Sequence, residues 1–139
     1  MKGSDNLKIN FFMPMKEIPT HTTQQKGINF QKRKVYTKPE LLAVKQKYMA
    51  ALSGNRPKQP MIGPVGLMVS WCFPLKDDLK DGAWKVSKPD TDNMLKLLKD
   101  CMTELDFWYD DAQVCYEVNM KKYGQISGIY VSVLELEEE

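Results

Sequence analysis

Four aspartates and one lysine carry the chemistry this sequence could do. Asp90-Thr-Asp92-Asn93 stands where a polar loop gives way to a helical pattern. Asp110-Asp111 stands about one helix later, where the chain turns into a strand. Lys96 follows Asp92 by four residues, one helical turn on and on the same face. If the two acidic pairs meet, their carboxylates repel, and such a group is tolerated only with raised pKa values or a bound cation. Hard oxygen ligands without His or Cys select Mg²⁺ or Mn²⁺. Such an ion polarises a phosphoryl oxygen and activates bound water. Lys96 would then stabilise developing phosphate charge or orient the water.

Whether the pairs meet stays open at this level. A helix of roughly 13 residues is about 20 Å long. Residues 106–110 suffice for the return only if the helix ends near Met102. Each residue also suits a plain structural role. Asp92 or Asn93 caps a helix, Asp90 favours its dipole, and Asp110-Asp111 are ordinary turn residues. Lys96 pairs with Asp92 or Asp100 at helical spacing.

Other chemistries find less support. The three cysteines, Cys72, Cys101 and Cys115, are odd in number and none are spaced C-x-x-C, so neither a disulfide framework nor a zinc site is expected. A Ser or Cys nucleophile paired with a histidine would rest on His21 alone. Nothing calls for an organic cofactor. Lys2, Asp5, Lys8, Lys16, Glu17 and Lys26 interrupt any export signal, and prolines and glycines break the long uncharged run 59–75. No membrane segment is expected, and the expected compartment is the cytoplasm.

Charge divides the chain. Residues 1–50 hold ten Lys/Arg against three Asp/Glu, residues 51–89 six against three, and residues 90–139 four against twelve. A basic front half suits a polyanionic partner, although such lysines also simply solvate a surface. The densest cluster is Lys32-Arg33-Lys34, flanked by Lys26 and Lys38. The acidic stretch 135–139 reads as a frayed tail.

The elements that must position these groups follow from periodicity. Leu7–Met13 alternates and ends at Pro14, which predicts a strand. Residues 19–39 read as a long basic loop. Pro39 opens a helix carrying Leu41, Val44 and Tyr48. Val65–Phe73 reads as a central strand, and Leu75–Pro89 as a second charged loop. In Asp92–Leu105, Met94, Leu97, Leu98, Cys101, Met102 and Leu105 form one apolar face. Val114–Lys122 and Ile129–Glu135 read as two antiparallel strands around the 124–128 turn. Phe107 and Trp108 suit a core or subunit interface. Trp84, inside a basic loop, suits base stacking equally well. One 139-residue domain of α+β class is expected. It would be a two-layer sandwich, with one mixed or antiparallel sheet of about four strands and helices on one face.

The stretch Lys88-Pro-Asp-Thr-Asp-Asn-Met-Leu-Lys96, followed by Phe107-Trp-Tyr-Asp-Asp-Ala-Gln-Val114, resembles the RusA family of Holliday-junction resolvases. That family carries Asp-x-Asp-Asn-x-x-Lys entering a helix and, one helix later, an aromatic stretch ending in Asp-Asp-Ala-Gln-Val. Lys121-Lys-Tyr-Gly124 before the last strand is also similar. The resemblance implies a homodimeric, Mg²⁺-dependent endodeoxyribonuclease that cuts four-way DNA junctions by paired nicks. Asp90, Asp92 and Asp111 match its catalytic, metal-holding carboxylates, Lys96 its catalytic lysine, and Asp110 the neighbouring acid. The family fold would bring Asp111 back beside Asp90 and Asp92. Lys26, Lys32, Arg33, Lys34 and Lys88 are the expected phosphate contacts, which position DNA without reading sequence. Some members carry a short Arg-rich run before the first aspartate; here the loop Lys76–Lys88 is longer and Lys-based. Two rival activities stand beside this one: junction binding without cleavage, and metal-dependent cutting of other branched or single-stranded DNA.

Overall fold

The computed structural model describes residues 7–19, 38–76 and 78–137. Its element order is β1 (Lys8–Pro14), α1 (Lys38–Ser53), β2 (Val65–Pro74), α2 (Thr91–Glu104), a single 3₁₀ turn (Asp111–Gln113), β3 (Val114–Gly124) and β4 (Gly128–Glu135). This is the expected order of strands and helices. The expected loop at 19–39 lies almost wholly outside the described residues, and His21, Lys26, Lys32, Arg33 and Lys34 lie there with it.

The strands form one four-stranded mixed sheet in the order β1-β4-β2-β3. β4 pairs antiparallel with both β1 and β2, and β3 runs parallel to β2. β2 takes the central place because its alternate residues Val65, Leu67, Val69, Trp71 and Phe73 are all buried. A strand buried along its length needs a partner on both edges to satisfy its backbone. One expectation is therefore corrected. β3 and β4 do run in opposite directions, but they are not a paired hairpin, because β2 lies between them.

Helices cover the face that carries those β2 residues. α2 sends Met94, Leu95, Leu97, Leu98, Cys101 and Met102 into the core. α1 adds Val44, Tyr48 and Leu52, one per helical turn. Phe107 and Trp108 are fully buried, which settles them as core. The Trp108 indole donates to Thr103 Oγ1 at 2.7 Å and the Trp71 indole to Asn119 Oδ1 at 3.1 Å, so neither buries an orphan donor. Glycine is required where β1 and β4 close. A Cβ on Gly128 would collide with the Met13 carbonyl oxygen and crowd Pro14 Cα at 2.9 Å.

Glu135, expected in a frayed tail, instead closes β4. Its Oε2 accepts from the backbone N–H groups of Ile62 and Gly63 at 2.9 and 3.0 Å, and Leu136 N–H donates to Pro64 O at 2.7 Å. Among the described residues no helix is long and apolar enough to cross a membrane.

Candidate active site

Asp90 occupies the N-cap position of α2 with extended backbone, yet its side chain makes no capping hydrogen bond. Asp92, in the first turn, accepts only from the N–H of its neighbour Asn93, at 3.0 Å. Both are exposed. Carboxylates at a helix N-terminus gain from the dipole, but these two are not used up in capping. Lys96 is also exposed. The ion pairs among the described residues are Lys45–Glu104 and Lys99–Glu117, so Lys96 pairs with neither Asp92 nor Asp100. This end of α2 therefore presents two carboxylates with spare oxygens and an uncommitted ammonium one turn on.

The loop leading into Asp90 is tied to the C-terminal end of β3. Lys121 Nζ donates to Ser87 O at 2.6 Å and to Pro89 O at 2.7 Å. Backbone bonds join Lys85 N to Lys121 O, Tyr123 N to Ala83 O and Gly82 N to Tyr123 O. Lys85 Nζ reaches Ser87 Oγ and Tyr123 OH and lies over the Phe73 ring. That ammonium, chiefly by its hydrogen bond, holds the Tyr123 hydroxyl below the usual tyrosine range. A cleft of about 390 Å³ opens beside the loop, lined by Glu17, Ile18, Phe73, Lys85, Lys88 and Pro89. Lys88 is exposed at its lip, where a phosphate contact was expected. Trp84 is 64% exposed, and the Lys122 ammonium sits 5.6 Å from its ring centroid.

Asp111 opens the 3₁₀ turn before β3, and Asp110 caps that turn. Asp110 Oδ1 accepts from Ala112 N–H at 2.9 Å. Gln113 completes a capping box and then does more. Its Oε1 accepts from Tyr109 and Asp110 N–H, while its Nε2 donates to the carbonyls of Met61 and Gly63. Asp110 thus has a structural use that Asp111 lacks. Gln113→Ala would strand backbone groups that are part-buried, and we expect a loss of about 1–3 kcal/mol in urea unfolding.

The two acidic ends do not meet within one chain. α2 runs antiparallel to β3, as two contacts with that strand and the return of the chain after the helix show. Lys121 reaches Pro89 at the start of α2, Lys99 pairs with Glu117 in the middle, and Trp108 returns to Thr103 at the end. α2 extends to Glu104 and is closed by Leu105, so the chain does not turn back at Met102. A 14-residue helix separates Asp90 from Asp111, a length of about 20 Å. Accordingly, among the described residues no three His, Cys, Asp or Glu side chains come together as a metal site. The return of Asp111 beside Asp90 and Asp92, implied by the resemblance, is not found inside the monomer.

Two supporting residues escaped the sequence reading. Gln113 had a signal, since Asp-x-x-Gln is a capping-box spacing. Lys121 had none, because its partners are carbonyls of a distant loop. The cysteines offer no alternative chemistry. All three are free, and burial pushes the Cys101 thiol up to about 11.

An α+β domain with uncapped acids and an unpaired lysine at one helix end offers groups suited to a cation and a phosphate. Comparison with known proteins narrows this. The family described as Endodeoxyribonuclease RusA matches residues 6–134. A crossover junction endodeoxyribonuclease rusA from Lactococcus phage r1t is 30% identical over 132 residues, covering 94% of this chain and 100% of the phage protein. The chain belongs to the RusA family.

Proposed function

We propose that this protein is a homodimeric endodeoxyribonuclease that resolves four-way DNA junctions by metal-dependent phosphodiester hydrolysis. One observation carries the reading: in a RusA-family chain, Asp90 and Asp92 stand uncapped at the start of α2 with unpaired Lys96 one turn on. An all-oxygen donor set with spare carboxylate oxygens fits Mg²⁺, which takes one or two carboxylates and completes its shell with water and phosphate. Asp90 and Asp92 would hold it, while Asp111, the third carboxylate of the family motif, lies at the far end of α2 within one chain. When bound, the ion supplies Lewis-acid polarisation of the phosphate and an activated water.

The protein's own groups do the rest. Lys96 stabilises negative charge on the phosphoryl oxygens as the attacking bond forms. Lys121 fixes the loop that presents Asp90. Lys88, with Lys26, Lys32, Arg33 and Lys34, neutralises backbone phosphates on the arms of the junction. A two-fold dimer presents two equivalent sites to a substrate of approximate two-fold symmetry. On this reading the protein would act where the DNA is, in the cytoplasm.

The test is incubation with a labelled four-way junction and a linear duplex, with Mg²⁺ and with EDTA. Paired symmetric nicks on the junction alone, abolished by EDTA, are expected. Tight junction binding without nicks under Mg²⁺ or Mn²⁺ would show a binding protein. Equal cutting of flaps and single strands would show a broader nuclease.

A further inference from the structure

We propose that the exposed Trp84–Val86 tip of the loop before Asp90 is a stacking surface for one unstacked base at the branch point of the DNA, and that it makes the protein favour branched over linear DNA. The inference rests on the reading that Asp90 and Asp92 act on a junction phosphate. It adds how the protein senses that the phosphate belongs to a branch.

The tip alternates. Trp84 is 64% exposed and Val86 95% exposed. Lys85, between them, is turned the other way. Its N–H donates to Lys121 O at 3.0 Å, and its ammonium donates to Ser87 Oγ at 3.0 Å and Tyr123 OH at 3.3 Å. Trp84 pairs with Lys122 as an isolated antiparallel bridge. Gly82 N–H donates to Tyr123 O, and Tyr123 N–H to Ala83 O. Lys121 Nζ holds the carbonyls of Ser87 and Pro89. A segment tied at so many points along β3 cannot fold its apolar side chains back onto the core. Trp84 and Val86 are held in water on one side of a fixed loop, and apolar area presented this way marks a contact surface.

Charge and chemistry select the occupant. Residues 82–89 and 121–122 contribute Lys85, Lys88, Lys121 and Lys122 and no acid. The acid just before them, Asp81, accepts from Gln125 N–H. The Lys122 ammonium lies 5.6 Å from the Trp84 ring centroid. An apolar surface among ammonium groups suits a ligand with an apolar face beside negative charge. A nucleobase with its flanking phosphates is such a ligand, and an indole stacks on any base because every base has a π face. The tip also lies close to the acids. Trp84 and Asp90 are six positions apart, a reach of at most about 20 Å. Lys121 bonds both Lys85 and Pro89, so one residue holds the tip and the start of α2 in register.

In linear duplex both faces of each base are covered by its neighbours, and exposing one costs unstacking energy. At a branch point the stack is already interrupted, so a base face is free for the indole. The contact therefore adds affinity on a junction and almost none on duplex.

The experiment compares full-length wild type, Trp84→Ala and Trp84→Phe on a four-way junction and a linear duplex. Affinity is read by gel shift without divalent metal, and cleavage by single-turnover rates with Mg²⁺. Trp84→Ala should bind the junction about tenfold more weakly, or worse, with duplex affinity within about twofold of wild type. Trp84→Phe keeps a ring and should recover most of the loss. The thermal midpoint should not move, since the side chain is exposed. Single abasic nucleotides walked across the branch point locate the partner. At one position, loss of the base should weaken wild type by about the same factor and have no further effect on Trp84→Ala.

A Trp84→Ala protein that binds and cuts the junction like wild type would overturn the proposal. So would an equal loss on junction and duplex, or additivity with every abasic position. Unchanged junction binding with lost binding to phosphatidylserine vesicles, or with altered sedimentation, would assign the tip to a membrane or a protein partner instead. Failure of the underlying reading is distinct, because it appears in the wild type itself as absence of junction preference.

Discussion

Asp92→Asn should reduce junction cleavage by about 100-fold or more, some 3 kcal/mol of transition-state stabilisation, while the fold stays intact. The side chain is exposed and accepts a single hydrogen bond, from Asn93 N–H. An Asn carbonyl accepts the same bond, so the thermal midpoint should stay within the range of ordinary surface changes, about 0.5 kcal/mol. What is lost is the negative charge. That loss also sets the sign of the effect on binding. Without divalent metal, a carboxylate near phosphate repels DNA, so the variant should bind a junction as tightly as wild type or more tightly. Single-turnover cleavage and gel-shift titration on the same preparation check both halves. A variant that cuts at the wild-type rate would remove Asp92 from the site.

Lys96→Met should cost about 100-fold in cleavage at saturating junction. The structural alternative for this residue was an ion pair with Asp92 or Asp100, and neither pair is present. Removing an exposed, unpaired ammonium leaves the helix nearly unaffected. Met keeps most of the aliphatic length, so a rate loss with unchanged melting isolates the charge. Binding should weaken only modestly, because one phosphate contact among several is lost. If Lys96 only solvates the surface, cleavage will stay within about threefold of wild type.

The order of elements was legible because each long element carried its own period. The apolar run of β2 points to a central strand and the apolar face of α2 to a helix buried on one side, and both elements appear close to where those patterns place them. Pairing was less legible. The residues of β3 and β4 do not say that β2 will lie between them, since that depends on which strand most needs two covered edges. The candidate site was legible as a set of residues and not as a place. Asp90, Asp92 and Lys96 are joined by helical spacing, which sequence displays directly. Asp111 belongs with them only by family resemblance, and the length of α2 keeps it apart within a chain. Asp110, which suited either the acidic site or a turn, caps a turn with Gln113. The lysine that fastens the Asp90 loop, Lys121, left no pattern because it bonds backbone carbonyls more than thirty positions away.

The three tryptophans divide by environment. Trp71 and Trp108 are sealed at 0% exposure with their indole N–H groups bonded inside the protein, while Trp84 is 64% exposed on the loop that leads to Asp90. A water-soluble quencher such as iodide reaches only Trp84, and the sealed pair keeps emitting. The chain thus carries an intrinsic fluorophore beside the acidic helix end, reporting whatever approaches it, with two internal references that respond only if the fold comes apart.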